Sequence, residues 1–153
     1  MAIGYHGWKT RKRNKLGLQL DRETTTLPAS TYGALFTIAG GRIVLTSIIG
    51  EVTTVIQTQA CNLKITSTPT VGTAVDIATN LAISAAPVQS LYGIGAYVAA
   101  MTGGTGAANI SSAQGIVIPA GTLGITTSAT NTGSIKWSIT YIPLDDDAYV
   151  TVA

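Results

Sequence analysis

Hydrophobic and polar residues alternate along several short stretches of the chain. In SIKWSITYI, residues 134–142, four large side chains fall on one face: Ile135, Trp137, Ile139 and Tyr141. Successive side chains of a β-strand point to opposite faces, so this pattern predicts a strand with one buried face. The stretch RIVLTSII, residues 42–49, has apolar residues on both faces, which predicts a central strand that is covered on both sides.

Turn-forming residues separate these runs at short intervals. Gly40-Gly41 predicts a tight hairpin, Pro119 predicts a bend or interruption, Asn131-Thr132-Gly133 predicts a hairpin turn, and residues 102–114 predict a flexible Gly-, Ala- and Ser-rich loop. The pattern as a whole predicts eight strands, near residues 33–39, 42–49, 51–58, 61–67, 72–78, 88–100, 115–127 and 134–142.

Composition agrees with an all-β fold. Thr occurs 24 times and Gly 17 times among the 153 residues, and β-branched side chains favour strands over helices. Many short strands without a convincing helix predict an antiparallel β-sandwich of the jelly-roll or Greek-key type. The length suits one domain with a real hydrophobic core.

Charge is distributed very unevenly along the chain. Six of the nine Lys and Arg residues lie between residues 9 and 22, whereas residues 24–144 contain only five charged residues. We therefore expect a basic, extended N-terminal arm over residues 1–23. A single β-sandwich domain with a short C-terminal tail is expected over residues 24–153.

Residues that could carry chemistry are few. His6 is the only histidine and lies in the basic segment, and Cys61 alternates with Leu63 and Ile65, as expected of a core thiol. We therefore expect no enzyme activity, no catalytic residues, no cofactor and no metal site. The acidic cluster Asp145, Asp146 and Asp147 is expected in a solvated turn or in contact with the basic segment of a neighbouring subunit.

Aromatic and leucine residues are interleaved with the N-terminal cations, which favours an arm that docks over a purely solvating tail. The residues expected to bind a partner are Tyr5, Trp8, Lys9, Arg11, Lys12, Arg13 and Lys15. The nearly uncharged body has little electrostatic protection against association. We therefore expect a structural subunit whose surface is covered by companions.

Two stretches, GGRIVLTSIIGEVTTVIQ and GSIKWSITYIPLDDDAYVTVA, resemble the small β-rich structural proteins of tailed bacteriophages. The resemblance covers residues 33–153, and its most specific part is the ending over residues 133–146. It implies a virion component, and a capsid decoration (cement) protein fits this size best. Such proteins commonly sit as trimers on the capsid surface after assembly in the host cytoplasm, and their terminal arms clamp the major capsid protein.

Other functions are compatible with the same sequence. A shell-forming capsid protein would use the basic arm to bind packaged nucleic acid, and a tail or head-fibre component is a further alternative. A carbohydrate-binding β module would need an exposed aromatic platform, but Trp137 alternates with core residues. The uncharged stretch 77–135 is interrupted by Pro, Gly and hydroxyl residues, so we expect no membrane span.

Overall fold

The computed structural model describes residues 17–94, 101–105 and 115–153, and this part of the chain consists of β-strands joined by turns, without a helix. The strands are β1 (Leu18–Thr26), β2 (Tyr32–Ala39), β3 (Ile43–Thr54), β4 (Asn62–Pro69), β5 (Val75–Ala82), β6 (Ser90–Ile94), β7 (Met101–Thr105), β8 (Ile116–Ile118), β9 (Gly121–Thr127), β10 (Ser134–Pro143) and β11 (Tyr149–Val152).

The strands form two antiparallel sheets that pack face to face. In the first sheet the order is β1-β10-β3-β6-β7, with β8 also paired to β3, and in the second it is β11-β2-β9-β4-β5. Eight of these strands pair in a nested manner: β1 with β10, β2 with β9, β3 with β6, and β4 with β5. This nesting is the topology of a jelly roll. The predicted antiparallel sandwich is therefore confirmed.

The core lies between the two sheets and is built by alternation along the strands. On β10, Ile135, Trp137, Ile139 and Tyr141 are all buried, while the residues between them are half-buried. The opposite sheet contributes Phe36 and other inward side chains of β2, β4 and β9. The predicted inward face of residues 134–142 is confirmed, and Trp137 belongs to the core.

Both predicted hairpins at glycine turns are wrong. Gly40-Gly41 connects β2 of the second sheet to β3 of the first sheet. Residues 131–133 lie in the connection from β9 of the second sheet to β10 of the first sheet, so neither turn joins two paired strands. In a jelly roll, neighbouring strands in the sequence often cross from one sheet to the other, and a Gly-rich turn suits a crossing as well as a hairpin. The predicted interruption at Pro119 is confirmed, because β8 and β9 lie in different sheets.

Several strand boundaries also differ from the prediction. A single strand, β3 (Ile43–Thr54), takes the place of the two strands predicted at residues 42–49 and 51–58, and residues 55–58 are not in a strand. Residues 102–105, predicted as loop, belong to β7. Residues 18–23 of the expected arm belong to β1, which pairs with β10 from Leu18 to Thr26.

Gly50 explains why β3 continues without a break. It pairs in register with Trp137, and a Cβ at this position would lie 2.8 Å from both Cη2 and Cζ3 of the indole. Atoms in a packed protein interior do not approach so closely. The glycine therefore makes room for the largest core side chain and does not mark a turn.

We predict that Gly50→Ala will destabilise the protein by about 1–3 kcal/mol, because the added methyl group overpacks the core against the indole. In a Trp137→Leu background, which lacks the two clashing ring atoms, the same change should cost less. Urea denaturation of the four proteins in the double-mutant cycle measures this coupling. An equal cost of Gly50→Ala in both backgrounds would contradict the proposed clash.

Candidate functional site

The described chain begins at Gly17, at the edge of the first sheet. Gly17 has a φ of 89°, and a Cβ there would lie 2.5 Å from the carbonyl oxygen of Tyr141 and 3.2 Å from Cγ1 of Ile142. The N-terminal segment therefore joins the sandwich beside the end of β10. The predicted arm residues lie outside the described residues: Tyr5, Trp8, Lys9, Arg11, Lys12, Arg13 and Lys15.

Charge differs in sign between the two parts of the chain. Residues 1–16 contain five Lys and Arg residues and no Asp or Glu. Residues 17–153 contain the other four cations and all seven acids, a formal net charge of −3. The N-terminal segment and the rest of the chain therefore carry opposite net charges.

Arg22, the sixth cation of the basic cluster, serves the fold. It lies on the inward side of β1, and one of its terminal nitrogens, Nη1, donates to the carbonyl oxygens of Ala34 (2.9 Å) and Leu35 (3.2 Å) on β2. The guanidinium therefore bridges the two sheets at their edge. Leu18 and Leu20 on the same strand pack against the core.

The acidic turn between β10 and β11 is tied to the start of β3 through Asp145. Its Oδ2 accepts from the backbone N–H (2.7 Å) and Nε (3.1 Å) of Arg42, and its Oδ1 accepts from Nη2 at 2.8 Å. The hydrogen bonds from the Arg42 side chain, followed by the one from its backbone, lower the pKa of Asp145 from 3.8 to about 2. Asp145 thus makes an ion pair within its own chain.

The other two acids of the turn are available to a partner. Asp146 and Asp147 are exposed, and the turn lies at the end of β10 that also borders Gly17. The expected contact of Asp145, Asp146 and Asp147 with a neighbouring subunit therefore stays a prediction, and the exposed pair is best placed for it.

An apolar row crosses the outer face of the first sheet beside this turn. Val117 of β8 and Ile142 of β10 both pair in register with Val44 of β3, so the three side chains lie side by side. Val117 is 54% exposed, Ile142 is 47% exposed, and Leu144 follows at 46%. Residues 42–49 were predicted to be covered on both faces. In this chain the outward Val44 is only half-buried and belongs to the partly exposed row.

A second candidate site is a polar groove on the outer face of the second sheet. The groove has a volume of about 340 Å³. Its lining comes from β2, β4, β9 and β5 and from the residue just before β5: Tyr32, Lys64, Thr66, Thr68, Thr126, Asp76 and Ala74. None of these residues was predicted as a site.

Polar contacts fix the side chains of this groove. Lys64 Nζ donates to Asp76 Oδ2 and Thr66 Oγ1 donates to Asp76 Oδ1, each at 2.8 Å. The hydrogen bond from Lys64 is the main cause that lowers the pKa of Asp76. Tyr32 Oη shares a hydrogen bond of 2.8 Å with Thr122 Oγ1.

Gly124 leaves room for the ring of Tyr32 on the outer face of the sheet. A Cβ at Gly124 would lie 2.6 Å from Cε2 and 2.7 Å from Cζ of Tyr32, so the ring occupies the space that any other residue would fill. The signal in the sequence was a glycine between Thr122 and Thr126, at a position that alternation assigns to the outer face. The sequence pattern does not show that this glycine makes room for Tyr32, because Tyr32 is distant in the sequence.

The structure describes one of the two residues considered as candidate catalytic groups, His6 and Cys61. His6 lies outside the described residues, and Cys61 is buried at 3% exposure, which confirms the predicted core thiol. Within residues 17–94, 101–105 and 115–153, no three His, Cys, Asp or Glu residues are grouped to hold a metal ion. The same residues contain no helix of the length and apolarity needed to cross a membrane.

Comparisons of this chain with protein-family models, with curated proteins and with solved structures found no match.

The Arg42–Asp145 pair predicts a pH-dependent contribution to stability. The pKa of Asp145 is lower in the folded chain than its ordinary value of 3.8, so the ionised carboxylate stabilises the fold above about pH 4, and this contribution is lost as the pH falls towards 2. Asp145→Ala should therefore lower the melting temperature at pH 7, by an amount that shrinks towards pH 2.

Thermal unfolding followed by circular dichroism at pH 7, 4, 3 and 2 measures this difference. Asp146→Ala, a change at the exposed neighbouring acid, is the matched control and should leave the melting temperature nearly unchanged at every pH. A destabilisation by Asp145→Ala that is the same at pH 7 and pH 2 would show that the charge of Asp145 is irrelevant.

Proposed function

We propose that this protein is a virion structural subunit, a decoration protein that forms trimers on the capsid exterior and binds the major capsid protein through its N-terminal arm. The observation that carries the proposal is the position of the apolar row Val117, Val44 and Ile142, which borders the point where the cationic segment joins the fold. An exposed apolar surface and a charged segment at the same edge are suited to a subunit that associates with neighbours.

The occupant of the apolar row in this proposal is a second copy of the chain. Contiguous exposed apolar residues on a protein surface are typical of interaction sites, and residues 1–16 of one copy carry a charge opposite to that of residues 17–153 of another. Lys15 and Arg13 lie only two and four residues before Gly17, and in this proposal they pair with Asp146 and Asp147 of the neighbour.

In this proposal the part of the arm that is farther from Gly17 binds the major capsid protein. An extended chain spans at most about 3.6 Å per residue, so Lys9 can extend about 29 Å and Tyr5 about 43 Å from Gly17, far enough to contact a surface beside the subunit. Aromatic side chains provide large contact areas in protein interfaces. The jelly-roll topology agrees with this assignment, since viral capsid domains use it, but lectins use it as well and a fold alone does not give a function.

Self-association is tested by changing the apolar row. We predict that the double variant Val117→Asp and Ile142→Asp will be monomeric, whereas the unchanged protein sediments as a trimer, because the charges would have to lose their hydration in the interface. Sedimentation velocity over a range of protein concentrations measures this. Val71→Asp, at a residue that is 90% exposed outside the row, is the control and should remain trimeric.

Two results would contradict the self-association proposal. One is an unchanged protein that stays monomeric at the highest concentration. The other is a row variant that associates as strongly as the unchanged protein, with both folded by circular dichroism.

The arm is tested by removing residues 2–15. This deletion ends before β1, which starts at Leu18 and pairs with β10, so the fold should be retained. We expect the truncated protein to lose binding to capsids in a co-sedimentation assay, whereas the full chain binds. Full binding by the truncated protein would show that the arm is not the clamp.

Salt dependence separates a capsid partner from packaged nucleic acid. An arm that neutralises phosphates gives an affinity for DNA or RNA that falls linearly with salt on logarithmic axes, with a slope close to the number of phosphates bound. With five cations in residues 1–16, the slope would be about −4 to −5 on duplex DNA. Such a slope, together with absent capsid binding, would favour a shell protein whose arm binds the genome.

A further inference from the structure

The groove on the second sheet has the composition of a ligand site. Its volume of about 340 Å³ lies at the lower end of the range for small-molecule sites, about 300–1,000 Å³. It combines one aromatic ring, one ion pair and three threonine hydroxyls. The side chains of Lys64 and Asp76 are 34% and 36% exposed, so both charged groups remain open to solvent.

The charges of the groove favour an uncharged ligand. Lys64 and Asp76 neutralise each other at 2.8 Å, and its other lining residues carry no charge. A phosphate would meet the carboxylate, and an ammonium group would meet the lysine, so neither has a net attraction to the site. An apolar ligand would have to remove water from the ion pair and the hydroxyls without replacing their hydrogen bonds.

The ion pair can bind two adjacent hydroxyl groups at once. An ammonium group has three donors, of which Lys64 directs one to Asp76, and each carboxylate oxygen can accept a second hydrogen bond. One hydroxyl can therefore donate to Asp76 while its neighbour accepts from Lys64. Hydrogen bonds to charged groups are stronger than neutral ones.

Tyr32 provides the apolar part of the site. Gly124 lets the ring lie against the sheet, and the bond to Thr122 restrains its hydroxyl. An aromatic ring of this kind is a rigid, amphipathic surface that binds at a low cost in conformational entropy. Sugars present an apolar C–H surface beside adjacent hydroxyls, and they match both features.

We infer that this groove binds a neutral sugar residue, with adjacent hydroxyl groups on Lys64 and Asp76 and its C–H face against Tyr32. The site lies on the sheet opposite the apolar row. Its lining residues are therefore separate from the apolar row of the proposed trimer.

The test uses the full-length, isotope-labelled protein titrated with the methyl glycosides of glucose, galactose and mannose, followed by amide NMR. Binding of at least one glycoside should shift amides of the groove, namely those of Tyr32, Thr66, Asp76 and Thr126. The absence of shifts with all three glycosides, or shifts confined to residues elsewhere, would overturn the inference.

Variants test the assigned roles. Asp76→Asn should weaken binding about tenfold, the factor expected for losing a hydrogen bond to a charged group, and Tyr32→Ala should weaken it about three- to tenfold through the lost aromatic contact. Tyr149→Ala removes an exposed tyrosine at 53% exposure on the edge strand of the same sheet and should change binding less than about twofold. Unchanged affinity in both groove variants would overturn the inference, and if a variant fails to fold, the amide shifts of the unchanged protein decide.

Discussion

The pairing of β10 with β3 is the interaction on which the other features depend. It extends from Ser134 to Pro143, and the inward side chains of β10 form much of the core. Because β1 pairs only with β10 in the first sheet, this strand also determines where the N-terminal segment enters. Gly17, the outward side chain of Ile142 and the turn that holds Asp145 lie at the same end of this strand, so one strand positions all three.

The two candidate surfaces lie on opposite outer faces of the sandwich. The apolar row belongs to the first sheet and the polar groove to the second, and the core lies between them. A sandwich with two outer faces can offer one to its neighbours and leave the other open. If both proposals hold, an assembled subunit would still present the groove around Tyr32 to its surroundings, which is where a surface glycan would be met.

The scarcity of charge in the folded body has a structural counterpart. Two ion pairs connect described residues, Arg42 with Asp145 and Lys64 with Asp76, and they use three of the five charged residues in residues 24–144, together with Asp145. The first connects a strand start to a turn, and the second lies in the groove. Exposed ion pairs contribute little to stability. The jelly roll is therefore stabilised mainly by apolar burial between its sheets.

The sequence alone determined the class of fold and the inward face of its clearest strand. Alternation places Trp137 in the core because the direction of a side chain on a strand is a local property with a period of two. It did not determine that Gly40-Gly41 crosses between sheets, because a glycine turn permits both connections. Only the tertiary structure brings Tyr32 over Gly124, since their contact depends on the pairing of β2 with β9 across about ninety residues of chain, and local patterns hold no information on such distant partners.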